Sequence, residues 1–165
     1  MIRFFIGFLV LQAGLFGLEL TPWGQQWFVV PWTDTLATIS AAIVKVFDPQ
    51  VVSHGKVLQS TSNGFAVSIE AGCNGVEATI VLVAAILSFP APWQRKLIGL
   101  GVGIVAVQGL NIVRVISLFY LGQWSFNVFE WAHLYVWQAL IMLDVLIVWL
   151  LWVRTLPRGA PVAAS

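Results

Sequence analysis

Charge is what this chain most lacks. Eight Lys and Arg and seven Asp and Glu make up only 9% of its 165 residues, against about 25% in an ordinary soluble domain. With 59% hydrophobic residues and a mean hydropathy of +0.91, that shortage excludes a soluble domain and points to an integral membrane protein. The net charge of +1 leaves no electrostatic footprint for nucleic acid. Cysteine is nearly absent. The single Cys73 excludes an intramolecular disulfide and any CxxC redox or zinc motif. A dithiol oxidoreductase falls with it, because exchange needs a resolving thiol. The two histidines, His54 and His133, have no metal-ligand spacing between them, so no metal is expected, and nucleophilic chemistry at a thiol would need no cofactor.

What is present is apolar and aromatic, with nine Trp and eleven Phe suited to interfacial belts and to packing between helices. The expected fold is an all-α polytopic membrane protein of about four transmembrane helices, with an amphipathic helix and a small β-hairpin flap on the outer side. The first span runs from Phe4 to Leu20. It resembles a signal peptide, but no small-x-small cleavage site follows, so it is read as retained. In the connection 21–75, apolar residues at Leu36, Ile39, Ile43, Val44 and Phe47 predict an amphipathic helix over 33–47, capped by Thr33 or Asp34. The runs 51–58 and 65–70, separated by the polar turn 59–64, predict a hairpin.

Further spans are expected at about 76–89, 97–121 and 134–153. Fourteen residues are few for a span of roughly 20, so the helix at 76 is expected to reach back to Cys73. These three spans, 76–153, form the expected catalytic core of a single membrane domain. The tail 154–165 is read as disordered. Arg3, Arg95, Lys96, Arg154 and Arg158 then fall on one side, which the positive-inside rule makes cytoplasmic. The flap and the start of the helix at 76 lie outside.

This topology brings three reactive groups to one depth. Cys73 sits at the outer start of its span and His133 immediately precedes the last one. Arg114 stands seventeen residues after Leu97, about 25 Å up the helix. Each has an ordinary alternative: Arg114 as a snorkelling cation, His133 as an interfacial histidine, Cys73 as apolar filler. Supporting candidates are Asn111, three residues before Arg114 on its face, and Glu130, three before His133. Asn74 lies beside the thiol, and Glu77 stands at i+4 from it. Trp124, Trp131 and Trp137 read as interfacial anchors, and His54 as solvated. Chemically, a helix N-terminus or a nearby cation lowers a thiol's pKa. A histidine can move its proton, and an arginine can stabilise an oxyanion.

The run Glu70-Ala71-Gly72-Cys73-Asn74-Gly75, the segment Asn111-Ile112-Val113-Arg114-Val115 and His133 together resemble the exosortase/archaeosortase family. There a cysteine in an (A/E)xxC(S/N)G motif opens a transmembrane helix, and an N-x-x-R-(V/I) motif follows one span later. A histidine, or in some branches an arginine, opens the next span. The likeness covers about residues 68–153 and is most like the compact exosortase H branch, with one span, a helix and a flap in place of several N-terminal spans.

The resemblance implies a membrane-embedded cysteine protease/transpeptidase of the bacterial inner membrane, with Cys73 as nucleophile, Arg114 as stabiliser and His133 as base. It implies exported partners with a C-terminal sorting signal of IPTL type: a short motif, a transmembrane helix and a basic cluster. A thioester acyl-enzyme would pass the partner to water or to a surface acceptor. The competing reading is a non-catalytic assembly or chaperone subunit, in which Arg114 pairs with Glu77 or Glu130 and Cys73 is dispensable.

Overall fold

A computed structural model describes residues 2–157. Arg158 and the tail beyond it, given a topological charge and a disordered state above, lie outside the described residues. Five helices and one small sheet make up the fold. Helix α1 is Ile2–Glu19, α2 is Pro22–Val44, α4 is Trp93–Trp124 and α5 is Phe126–Arg154. These four are long and apolar enough to cross a membrane, while α3, Val76–Ser88, has 13 residues. Many large apolar side chains on α1, α4 and α5 are exposed, more than a water-soluble surface carries.

Helix α2 corrects the expected amphipathic helix over 33–47. It begins eleven residues earlier, where Thr21 Oγ1 accepts the Gly24 amide (3.0 Å) and Pro22 occupies the first turn. Thr33 and Asp34 are therefore interior residues and not caps; Thr33 Oγ1 donates to the Val29 carbonyl instead. Pro31 hides this continuity in the sequence, because an interior proline removes a backbone donor and crowds the preceding turn. The helix absorbs it with a π-helical stretch at Gln25–Val29. Gly24 permits the α1–α2 corner, since a Cβ there would strike the Leu18 carbonyl.

The flap is a three-stranded antiparallel sheet and not a single hairpin. The run 51–58 breaks at Gly55, whose φ of +54° favours glycine. It yields β1 (Val51–His54) and β2 (Val57–Ser60). Strand β3 (Ala66–Ser68) pairs with β2 in the register Leu58↔Val67, giving the order β1-β2-β3. Leu36, Ala41 and Val44 of α2 pack with Val51, Leu58 and Ile69 of the flap against Val115 and Phe119 of α4. This cluster crowns one end of α4. At 32 residues, α4 is about 48 Å long and outreaches a hydrocarbon core of about 30 Å.

Below the crown, Leu82 and Ile86 of α3, Val107 of α4 and Ile141, Val145 and Trp152 of α5 interlock. Between lipid tails such helices associate by close packing, since apolar burial from water is not on offer there. Two bonds fix the heights of the helices. Lys96 Nζ donates to the Leu87 carbonyl (2.6 Å), and Trp152 Nε1 to the Arg95 carbonyl (2.9 Å). From Lys96 to Arg114 is about 27 Å of helix, and from Trp152 back to His133 about 28 Å. The two side chains therefore finish level.

Candidate active site

Cys73 lies in an irregular knot ahead of α3 and not in the helix. The helix starts at Val76, so the expected shared helical face of Cys73 and Glu77 does not exist. Glu77 does sit in the first turn, where its carboxylate accepts the Gly72 amide and so ties the knot to α3. Asn74 supports it from within. It is fully buried: its Oδ1 accepts the Val76 amide (3.0 Å), its Nδ2 donates to Thr33 Oγ1 (3.1 Å) and its carbonyl accepts Trp32 Nε1 (3.2 Å). Gly75 completes the turn at φ +73°, and a Cβ there would meet the Gln108 and Asn111 side chains at 2.9–3.1 Å.

The three groups meet. His133 Nε2 lies 3.0 Å from Cys73 Sγ. Arg114 Nη2 donates to the same sulfur at 3.5 Å and Nη1 to the Gly72 carbonyl at 3.3 Å. Arg114 is 2% exposed, which excludes snorkelling to the headgroups. Neither does it make the ion pair with Glu77 or Glu130 that the structural reading requires; the ion pair among the described residues is Lys56–Glu70, on the surface. Glu130 is exposed and makes no bond to His133 among the described residues. Helix α5 does extend back past it, so His133 is interior to the helix and not ahead of it. His133 lies in a π-helical stretch, Ala132–Val136, a distortion frequent at functional sites. The Phe129 ring lies 5.7 Å from its imidazole.

The expected thiol activation is also corrected. Burial pushes the Cys73 thiol above its usual range, with Arg114 pulling the other way and Glu77 and Glu70 adding to the rise. Desolvation of the thiolate outweighs the single cation, and the knot keeps the sulfur outside the α3 N-terminus. Burial thus disfavours the thiolate, while the sulfur stays within hydrogen-bonding distance of the imidazole.

Asn111 is fully buried against Gly75, and neither amide atom has a partner among the described residues. Gln108, missed in the sequence, continues that stripe one turn earlier and donates to the Gly75 carbonyl (3.1 Å) and to Thr79 Oγ1 (2.9 Å). Its i−3 spacing from Asn111 could have found it. Trp32 and Thr33 carried no such signal. His54 is exposed, as read. Of the three tryptophans, Trp124 and Trp131 are exposed, but Trp137 is buried against Leu118 and Ala132.

The thiol faces a cavity of about 40 Å³ lined by Val67, Ser68 and Ile69 of the flap together with Arg114, Phe129 and His133, room for a water or one carbonyl oxygen. A far larger cavity, about 600 Å³, lies along the other side of α3 between Leu15, Trp27, Ile80 and Ile104. Its lining is almost wholly apolar, with Glu19, Thr79 and Gln108 as the polar exceptions, and it contains none of Cys73, Arg114 and His133. Among the described residues, no three His, Cys, Asp or Glu side chains gather where a metal could sit.

No curated protein and no solved structure matches the chain. The model of the transmembrane exosortase family (Exosortase_EpsH) matches residues 4–152, which runs from within α1 to within α5 and includes every site residue named above. With its four apolar helices, this chain is a multi-pass membrane protein that belongs to the transmembrane exosortase family.

Proposed function

We propose that the protein is a membrane-embedded cysteine peptidase and transpeptidase. It cleaves the C-terminal sorting signal of exported proteins, with Cys73 as nucleophile, His133 as base and Arg114 as stabiliser. The observation that carries this is the 3.0 Å contact between Cys73 and His133, groups sixty residues apart in an otherwise apolar chain. As the sulfur attacks the scissile carbonyl, the thiol proton passes to His133 Nε2, and a carbon–sulfur bond forms. Arg114, already beside the sulfur, stabilises the negative oxygen. The imidazolium then gives its proton to the leaving amine as the carbon–nitrogen bond breaks, leaving a thioester on Cys73. Water, or an acceptor nucleophile at the surface, displaces the sulfur and restores the thiol.

In this reading, which the positive-inside rule supports, the site faces the periplasm from the inner membrane and both termini are cytoplasmic. Partners are exported proteins whose motif, apolar helix and basic end reach that face. The reading is tested with a co-expressed reporter ending in an Ile-Pro-Thr-Leu motif, an apolar helix and an arginine cluster. The wild-type protein should shorten it and Cys73→Ala should not. Undiminished shortening by Cys73→Ala would sink the proposal and return the non-catalytic subunit to first place.

A further inference from the structure

The flap does more than cover the thiol. Strand β3 is the edge of its sheet, and its hydrogen-bonding phase can be read residue by residue. The Ser60 amide donates to the Phe65 carbonyl (2.9 Å) and the Ile69 amide to the Lys56 carbonyl (3.0 Å), on either side of the Leu58↔Val67 pair. In an antiparallel ladder every second residue turns its amide group to the partner strand. Residues 65, 67 and 69 therefore face β2, while Ala66 and Ser68 turn their N–H and C=O outward. Neither residue's backbone finds a partner in any turn or loop contact of the described residues.

An exposed strand edge is a template for another strand, and here the edge is part of the site. Ser68 and its neighbours Val67 and Ile69 wall the small cavity that also holds Cys73, Arg114 and His133. The edge is held in place from behind: Lys56 Nζ pairs with Glu70 (2.6 Å), Val51 and Leu58 are fully buried, and Phe65 packs on Phe119 and Gly122 of α4. It is a braced ledge beside the nucleophile.

We infer that β3 binds the segment to be cleaved as an added strand. An extended peptide pairs its backbone with the outward N–H and C=O of Ala66 and Ser68, which lays one of its carbonyls at the mouth of the Cys73 cavity. Strand addition of this kind draws affinity from the main chain and selects alternate side chains. The inference rests on the peptidase reading for the identity of the peptide, but its structural content stands apart from turnover.

The test uses full-length Cys73→Ala protein in lipid nanodiscs, which binds without cleaving. Amide hydrogen exchange is followed residue by residue. The probe is a synthetic peptide of an Ile-Pro-Thr-Leu segment, an apolar helix and an arginine cluster. Protection at Ala66 and Ser68 should rise at least tenfold on adding peptide, with Val67 little changed because its amide is already paired. No gain at either residue overturns the inference, whatever the reporter assay shows. Conversely, protection without reporter cleavage by the wild-type protein would keep the ledge and sink the peptidase. On the intact enzyme, Ser68→Pro removes one outward donor and none that pairs with β2, a change that edge strands tolerate. Its KM for the reporter should rise at least tenfold with kcat less affected, and an unchanged KM would count against the added strand.

Discussion

Cys73, Arg114 and His133 could be named from the sequence because each is chemically conspicuous in an apolar chain, and because intramembrane charge is costly and tends to face a partner. How the Cys73 thiol titrates could not be read there, because it depends on how much solvent reaches the sulfur. The two effects compete at Cys73, and burial wins over the Arg114 charge. A thiol whose pKa is raised stays protonated further up the pH scale. Its alkylation by iodoacetamide should therefore be slow at neutral pH and reach half its maximum above the usual thiol value of about 8.5. A rate that plateaus below pH 7 would mean a preformed thiolate–imidazolium pair. Arg114 donates from two nitrogens to two acceptors, Cys73 Sγ and the Gly72 carbonyl. A lysine can place its point charge near one of these but cannot span both. Arg114→Lys should lower reporter cleavage by about 100-fold, the scale of losing one oxyanion donor. Near-normal turnover in that variant would show that charge alone suffices.

At the scale of elements, α1, α4 and α5 were legible as spans from length and hydropathy, while α2 and the flap were legible only in part. Helix α2, expected as an amphipathic helix, is long and apolar enough to cross a membrane, and α3, expected as a span, has only 13 residues. Periodicity found α2 from Leu36 onward, but the stretch before Pro31 reads as a break until the π-helical turn is seen. The flap's first run looked continuous because Gly55 and Lys56 interrupt it too briefly to register as a turn cluster. That missed half of α2 matters to the site, because Trp32 and Thr33 hold Asn74 from it. Thr33→Val keeps the shape and removes the oxygen that Asn74 Nδ2 bonds, leaving a buried donor unpaired at a cost of about 1–3 kcal/mol. Thermal unfolding in detergent should shift down accordingly, and cleavage should fall with it as the knot loosens. A Thr33→Val protein with unchanged Tm and turnover would show that α2 does not position the knot.

For the whole molecule, convergence of the site follows from lengths the sequence already held and tethers it did not reveal. The helical runs from Lys96 to Arg114 and from Trp152 to His133 differ by one residue, yet only the Lys96–Leu87 and Trp152–Arg95 bonds show that they start level. Cys73 reaches that level on a helix too short to span a bilayer alone, because the 70–75 knot adds the missing height. The central claim is that this meeting point forms a thioester. The direct measurement is the mass of the Cys73 peptide after purified protein is mixed with reporter and quenched in acid. Cys73 should carry the reporter's N-terminal fragment, and hydroxylamine should release it. A shortened reporter with an unmodified Cys73 peptide, in a quench that preserves thioesters, would contradict the account.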